Sequence, residues 1–452
     1  MPALTSTDIR PLNQRLPPLS GLLDDTLDQA IRARQRRIMI AGNPHGNLAA
    51  LRVTDSAIDR ALKSASLYGK DAALQLDARI AKLDGAAQEA AVFLRISLAV
   101  QTQEPALLAL TSEYTPKFTR AIRDAYWFYP APFGPFNDSS DHIVALFNQS
   151  AANTELRLLA LELAGRRDVK ALRPQIEALL DNPSLAPAAH YALACMGAAG
   201  EPTRRFLKNV IESNNAALFQ SAMAIVAVDS RLLDEATLNR LLNADSDKAD
   251  DDALGAAWAI QTCRHPRKAL DYASTHQELS SALRLRIAAL AGYMDGIIIA
   301  CAAMAASDGS ITPLQADVLE VALGGVPVEA RCEPNDQAAK SKALRDLILR
   351  VCRKSHIPIC NEADLGPWEV EAILSKPEQP GEIRLRNGLP LRDSVPALGR
   401  AVFEVTHAMR EWLYIERATT GQHAFALSAL DVTRRQELAL MVGELVDDMR
   451  TD

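Results

Sequence analysis

Between residues 155 and 306 the chain alternates two kinds of apolar stretch. Strongly apolar segments at 155–165, 186–197, 217–228, 253–263 and 283–293 are each followed by a polar or glycine-containing break. An amphipathic segment then follows, at 171–180, 203–212, 235–242, 266–273 and 296–306. In the second kind, apolar residues return at helical spacing, as Leu172, Ile176, Leu179 and Leu180 do, or Phe206, Val210 and Ile211. The unit reads as helix, turn, helix. In each first segment a small residue precedes a large apolar one: Ala160-Leu161, Ala192-Leu193, Ala224-Ile225, Ala257-Trp258 and Ala289-Leu290, with Ala322-Leu323 as a sixth member. The steps between them are 32, 32, 33, 32 and 33 residues. Such a period marks stacked supersecondary units, because two helices with one apolar side each cannot bury both faces alone. The spacing predicts an α-solenoid over 151–328, with the small residues, Ala192 and Ala224 among them, at close helix crossings.

The flanks read differently. Residues 1–150 form a helical N-terminal region, broken early by Pro2, Pro11, Pro17 and Pro18, with a helix over 22–37 and a loop over 41–47. Helices return over 55–100, interrupted near Gly69 and Gly85. Thr115-Pro116 reads as an N-cap with proline at the first helical position, starting a helix that runs to Tyr126. Thr312-Pro313-Leu314-Gln315 reads as a capping box. Residues 329–452 are expected to form a proline-rich connector and a mainly helical C-terminal cap. Within it a helix spans 337–354, loop or short strand follows, and helices resume over 395–449 with a break at Thr419-Thr420-Gly421.

Composition sharpens this to an all-α fold. The 452 residues include 76 alanines but only 22 aromatics, so helices must approach through small side chains. The net charge of −7 lowers the expectation of a nucleic-acid partner. Six cysteines in so long a chain are too sparse for a disulfide framework and fit a cytoplasmic protein. The N-terminal residues lack the pattern of an export signal. The most apolar run, 296–306, is about half the length needed to cross a bilayer.

Helix pairs of this period resemble the HEAT-like repeat superfamily over about residues 150–325. A narrower resemblance is to a family of HEAT-like bacterial proteins encoded beside type VI secretion genes. That family has a Leu-Pro-Trp-Pro-Asp-like segment, then an Arg-x-x-x-Gly-x-Pro element, and upstream a Leu-Asp-x-Arg-Leu-like helix. Here Leu365-Gly366-Pro367-Trp368-Glu369 precedes Arg384-Leu385-Arg386-Asn387-Gly388-Leu389-Pro390, and Leu76-Asp77-Ala78-Arg79-Ile80 lies upstream. Gly366 interrupts the first element, and the Gln-Arg-rich helix expected after the second is replaced by residues 403–410. The resemblance implies a secretion-associated accessory role and brings no catalytic residues.

Few residues suggest chemistry. Cys352, His356 and Cys360, with Cys332 as a fourth, have spacing that could hold zinc, although no Cys-x2-Cys knuckle is present. Buried thiols and a surface histidine are the default reading, so no metal or other cofactor is expected. Tyr126, Trp127, Phe128, Tyr129, Phe133 and Phe136 crowd into eleven residues with prolines and a glycine. They would either present a rigid contact surface to a partner or plug the core. Residues 340–354 carry six basic residues and one acidic residue, which read as a solvated helix face. Asp245, Asp247, Asp250, Asp251 and Asp252 lack the pattern of a calcium loop. Glu404, His407 and Glu411 can share a helical face, read as an ordinary polar one. A repeat array without a catalytic motif points to a non-enzymatic scaffold or adaptor that binds another protein, such as a secretion-system component or effector. The alternative is a HEAT-like enzyme, lyase-type or nucleic-acid-processing, with dispersed residues in a groove.

Overall fold

The computed structural model describes residues 20–43, 46–128, 140–213, 215–243, 254–276, 278–331, 337–360, 367–375, 383–391 and 404–421, with Phe425, Leu427 and Gln436. The fold is all-α. The one sheet among the described residues is a two-residue antiparallel pair, β1 (Leu385–Arg386) and β2 (Leu389–Pro390). The described residues fall into two compact units, one drawn from 20–43 and 50–192, the other from 46–49, 193–427 and Gln436.

The first unit begins with α1 (Ser20–Gly42), α2 (Leu48–Ser66), α3 (Lys70–Lys82), α4 (Gly85–Thr102) and α5 (Leu107–Phe128). The breaks at Gly69 and Gly85 fall where glycine punctuation puts them. Helix α4 is the core of this unit: every residue from Ala90 to Ala99 is buried, and α1, α3 and α5 pack around it. Buried arginines tie these helices together, Arg34 to Asp124 at 2.5 Å and Arg37 to Asp55 at 2.5 Å. The expected N-cap at Thr115 is not one. Helix α5 continues through Pro116, with its geometry broken at Phe118 (φ −133°, ψ 34°). The Thr115 hydroxyl donates back to the Thr111 carbonyl at 2.6 Å, as in a helix interior. Proline kinks this helix instead of starting it, because Leu107 and Thr111 already bury the preceding turns.

Next come α6 (Ser140–Gln149), α7 (Thr154–Arg166), α8 (Arg173–Glu177) and α9 (Ala186–Cys195). Asn153 caps α7, its side chain accepting from the Leu156 amide at 3.1 Å. At the α7–α9 crossing, a Cβ added to Gly165 would lie 2.5 Å from the Ala192 Cα, so only glycine permits that approach.

The second unit contains α10 (Glu201–Glu212), α11 (Ala216–Val228), α12 (Glu235–Asn243), α13 (Gly255–Arg264), α14 (Pro266–Thr275), α15 (Ser281–Ala291) and α16 (Met294–Ala306). Then follow α17 (Pro313–Val318), a π-helical turn (Leu319–Leu323), α18 (Val328–Arg331), α19 (Gln337–Lys354), α20 (Val370–Ile373) and α21 (His407–Thr420). Alternate helices pack in series: α11 on α13, α13 on α15, and α15 on α17. The connecting helices α12 and α14 each contact the helices before and after them in this series or beside it, α12 touching α10 and α13, and α14 touching α13 and α15. The small residues Ala257, Ala289 and Ala322 are fully buried, as are Ala160 and Ala192 in the first unit. Ala224 is the exception: it is exposed, and Ala222 is the buried alanine of α11. Apolar residues occur all round α11, so sequence periodicity does not fix its rotation.

The capping box at Thr312 is present in both directions. The Thr312 hydroxyl accepts from the Gln315 amide at 3.3 Å, and the Gln315 side chain accepts from the Thr312 amide at 2.9 Å. Helix α21 is buried nearly all round and packs on α11, α13 and α15.

Candidate functional site

The aromatic segment divides at the end of α5. Tyr126, Trp127 and Phe128 are its last three residues and all are buried, so they pack in the first unit and offer no surface. Burial pushes the Tyr126 hydroxyl up to about 12, and it lies 3.1 Å from the Thr111 hydroxyl. Phe128 meets the edge of Phe93 at 5.5 Å between centroids. The Arg166 and Arg167 guanidiniums lie over Trp127 at 4.8 and 5.3 Å, and Arg167 also donates to the Tyr126 carbonyl. Tyr129, Phe133 and Phe136 lie outside the described residues.

The zinc candidates are placed in three different settings. Cys352 is fully buried in α19, and burial pushes its thiol up to about 12, away from the thiolate a metal requires. His356 is exposed beyond the helix end at φ 56°. Cys360 donates to the Glu371 carbonyl at 3.4 Å. Cys332 lies outside the described residues, and among the described residues no group of three ligating side chains could hold a metal ion.

The two motif elements of the C-terminal region anchor helices. Trp368 lies 4.7 Å from the Arg345 guanidinium on α19, and its indole N–H donates to the Ser341 hydroxyl at 2.9 Å. The Arg384–Pro390 element forms the β1–β2 hairpin. The last carbonyls of a helix have no partner within it, and here the hairpin supplies donors for α15. Arg386 donates to Ala289 O at 3.0 Å and to Leu290 O at 2.9 Å, Arg384 to Ala291 O at 2.8 Å, and the Leu385 amide to Gly292 O at 2.8 Å. The Asn387 and Gly388 amides do the same for Val321 O and Ala322 O of the π-helical turn, at 2.8 and 3.0 Å. The close approach needs Gly292 (φ +74°), where a Cβ would come within 2.5 Å of Leu385 O. Arg386 also pairs with Glu416 of α21 at 2.6 Å, both side chains almost wholly buried. Burial drives the half-buried thiol of Cys263, close to this pair, well above its ordinary range, so it is a poor nucleophile.

A second polar cluster fixes the start of α21. The amide and hydroxyl of its N-cap, Thr406, donate to Asp317 at 2.8 and 2.5 Å. Burial raises the Asp317 carboxyl to about 6, opposed by those hydrogen bonds and by Arg286 and Arg410. The Tyr414 hydroxyl donates to Gln436 at 2.7 Å, and Arg410 donates to the same oxygen at 3.3 Å. In both clusters the polar groups are engaged with helix ends and neighbouring helices.

A groove of about 610 Å³ lies beside α10 and the start of α12. It is lined by Arg204, Arg205 and Lys208 from α10, by Arg231 between α11 and α12, and by the carboxylates of Glu201 and Asp234. Helix α10 is strongly amphipathic. Leu207 and Val210 are buried, and Arg204, Arg205 and Lys208 are exposed. Arg204 and Arg205 have no ion-pair partner among the described residues, whereas Arg231 is held by Asp229 at 2.7 Å. Asp234 is committed to capping α12: the Thr237 amide donates to it at 2.7 Å and holds its carboxyl below the ordinary value. Buried Leu207, Leu232 and Leu233 supply an apolar floor.

The basic helix read from the sequence, α19, is less available than it looked. Lys340 is buried and donates to the Ser307 and Gly309 carbonyls after α16, and Arg345 is buried against Trp368. No protein-family model matches this chain, and no curated protein or solved structure matches it.

Proposed function

We propose that this protein is a non-enzymatic α-solenoid scaffold that binds a partner protein. The serial packing of α11, α13, α15 and α17 carries the reading, because helices stacked in this way present extended surfaces suited to recognition. The polar groups of the second unit add support. The hairpin arginines, Glu416, Asp317 and Thr406 are spent on holding helix ends and helices together. The groove beside α10 offers two unpaired arginines, Arg204 and Arg205, a feature suited to holding an anionic ligand. An accessory role beside a type VI secretion system is the finer setting, supported by the resemblance of residues 76–80, 365–369 and 384–390 alone. A cytoplasmic location rests on the sparse cysteines.

Affinity capture of the intact, folded chain from its native host, with the partners identified by mass spectrometry, tests the scaffold role. A reproducible protein partner that leaves unmodified supports it. Capture of no reproducible protein, or turnover of a small molecule by the purified chain, contradicts it.

A further inference from the structure

We propose that the groove beside α10 and α12 binds an acidic, extended polypeptide segment, an assignment that rests on the scaffold role and gives it a chemistry. Four cationic side chains line one concavity; with Arg231 neutralised by Asp229, Arg204, Arg205 and Lys208 stand against the two lining carboxylates. Cations gathered in a cleft create a positive local field even in a chain whose net charge is −7. Arg204 and Arg205 are exposed and unpaired, and Lys208 has only a 4.0 Å pairing with Glu212 one turn on. Guanidinium groups accept carboxylates through two parallel hydrogen bonds, so a Glu or Asp side chain fits this pair of arginines.

The two carboxylates of the lining separate a polypeptide from a polynucleotide. Asp234 is occupied by the Thr237 amide, and Glu201 stands on the α10 side of the groove. A polypeptide backbone brings N–H donors from which Glu201 can accept, whereas a phosphodiester backbone brings acceptors only. Leu207, Leu232 and Leu233 beneath the groove are buried and hold its shape, so charge and hydrogen bonding carry the recognition. The volume falls within the range of about 300–1,000 Å³ typical of ligand sites, room for a short stretch of chain.

The test is fluorescence anisotropy of the full-length chain with a fluorescein-labelled peptide of alternating Glu and Leu. Parallel titrations use a Lys-Leu peptide and a single-stranded oligonucleotide of similar length. The expected result is saturable binding of the acidic peptide alone, weakening as salt rises. The double variant Arg204→Glu with Arg205→Glu is expected to bind about tenfold less tightly or worse. Its thermal midpoint should match the parent, since both side chains are exposed and unpaired. Charge reversal at Arg350 and Arg353, exposed on α19, should leave binding unchanged. Equal binding by the groove variant, equal loss with the α19 variant, or tighter binding of the oligonucleotide overturns the assignment. If the groove variant still captures the native partner, the scaffold role stands and the groove is not where it acts. If no partner is captured although the acidic peptide binds, the scaffold role fails on its own.

Discussion

Arg386 and Glu416 meet at 2.6 Å with side chains 5% and 1% exposed, joining the hairpin to α21 while the same guanidinium closes the end of α15. Removing one member leaves the other as a buried, uncompensated charge. Arg386→Met or Glu416→Gln should therefore each cost about 3–5 kcal/mol. Arg386 loses helix-capping bonds as well, so it should be the costlier change. Urea unfolding of both single variants and the double variant measures this. The double change should cost less than the sum of the two.

Helix crossings give a sharper contrast. Ala192 is fully buried against Gly165, and Ala192→Leu should overpack that crossing by about 1–3 kcal/mol. Ala224 has the same place in the sequence repeat but faces solvent, so Ala224→Leu should change stability by no more than about 0.5 kcal/mol. Thermal unfolding of the two variants checks the difference.

These two alanines mark what the chain reveals locally. The bounds of α19, the breaks at Gly69 and Gly85 and the Thr312 capping box were legible because each depends on neighbours within one or two turns. The rotation of α11 was not, because only Gln220 and Ser221 interrupt its apolar run, too few polar positions to orient it by periodicity, although exposed Gln220 lies one turn before Ala224. Pro116 misled because a helix start and a tolerated kink share the same residues, and burial of the preceding turn decides between them. Arg384 and Arg386 find their acceptors more than 90 positions away on α15, and no local pattern encodes that pairing. The groove is hidden for the same reason: α10 reveals its own charged face, but Arg231, Leu232 and Leu233 come from a segment beyond α11.

Two buried groups should give opposite pH dependences. Burial lowers His190 from its ordinary 6.5 to about 4, with Asp181 opposing. The unfolded chain takes up the proton first as pH falls. The stability His190 contributes is therefore present above about pH 6.5 and lost as pH falls towards 4. His190→Gln should flatten that acid-side loss in a series of melts.

Asp317 runs the other way. Burial raises it from 3.8 to about 6, with Thr406, Arg286 and Arg410 opposing, so the folded state keeps its proton longer. Its contribution is greatest below about pH 4 and is lost as pH rises through 6. Asp317→Asn keeps an acceptor for Thr406 without the charge. Relative to the parent it should gain on the order of 1–3 kcal/mol between pH 4 and 7. Melting temperatures of both proteins across that range provide the measurement.

The scaffold claim meets its most direct test in hydrogen–deuterium exchange of the chain, alone and with the partner captured from its host. Slowed exchange concentrated over 201–212 and 231–237 is the predicted result. A bound state with unchanged exchange throughout the second unit would contradict the account.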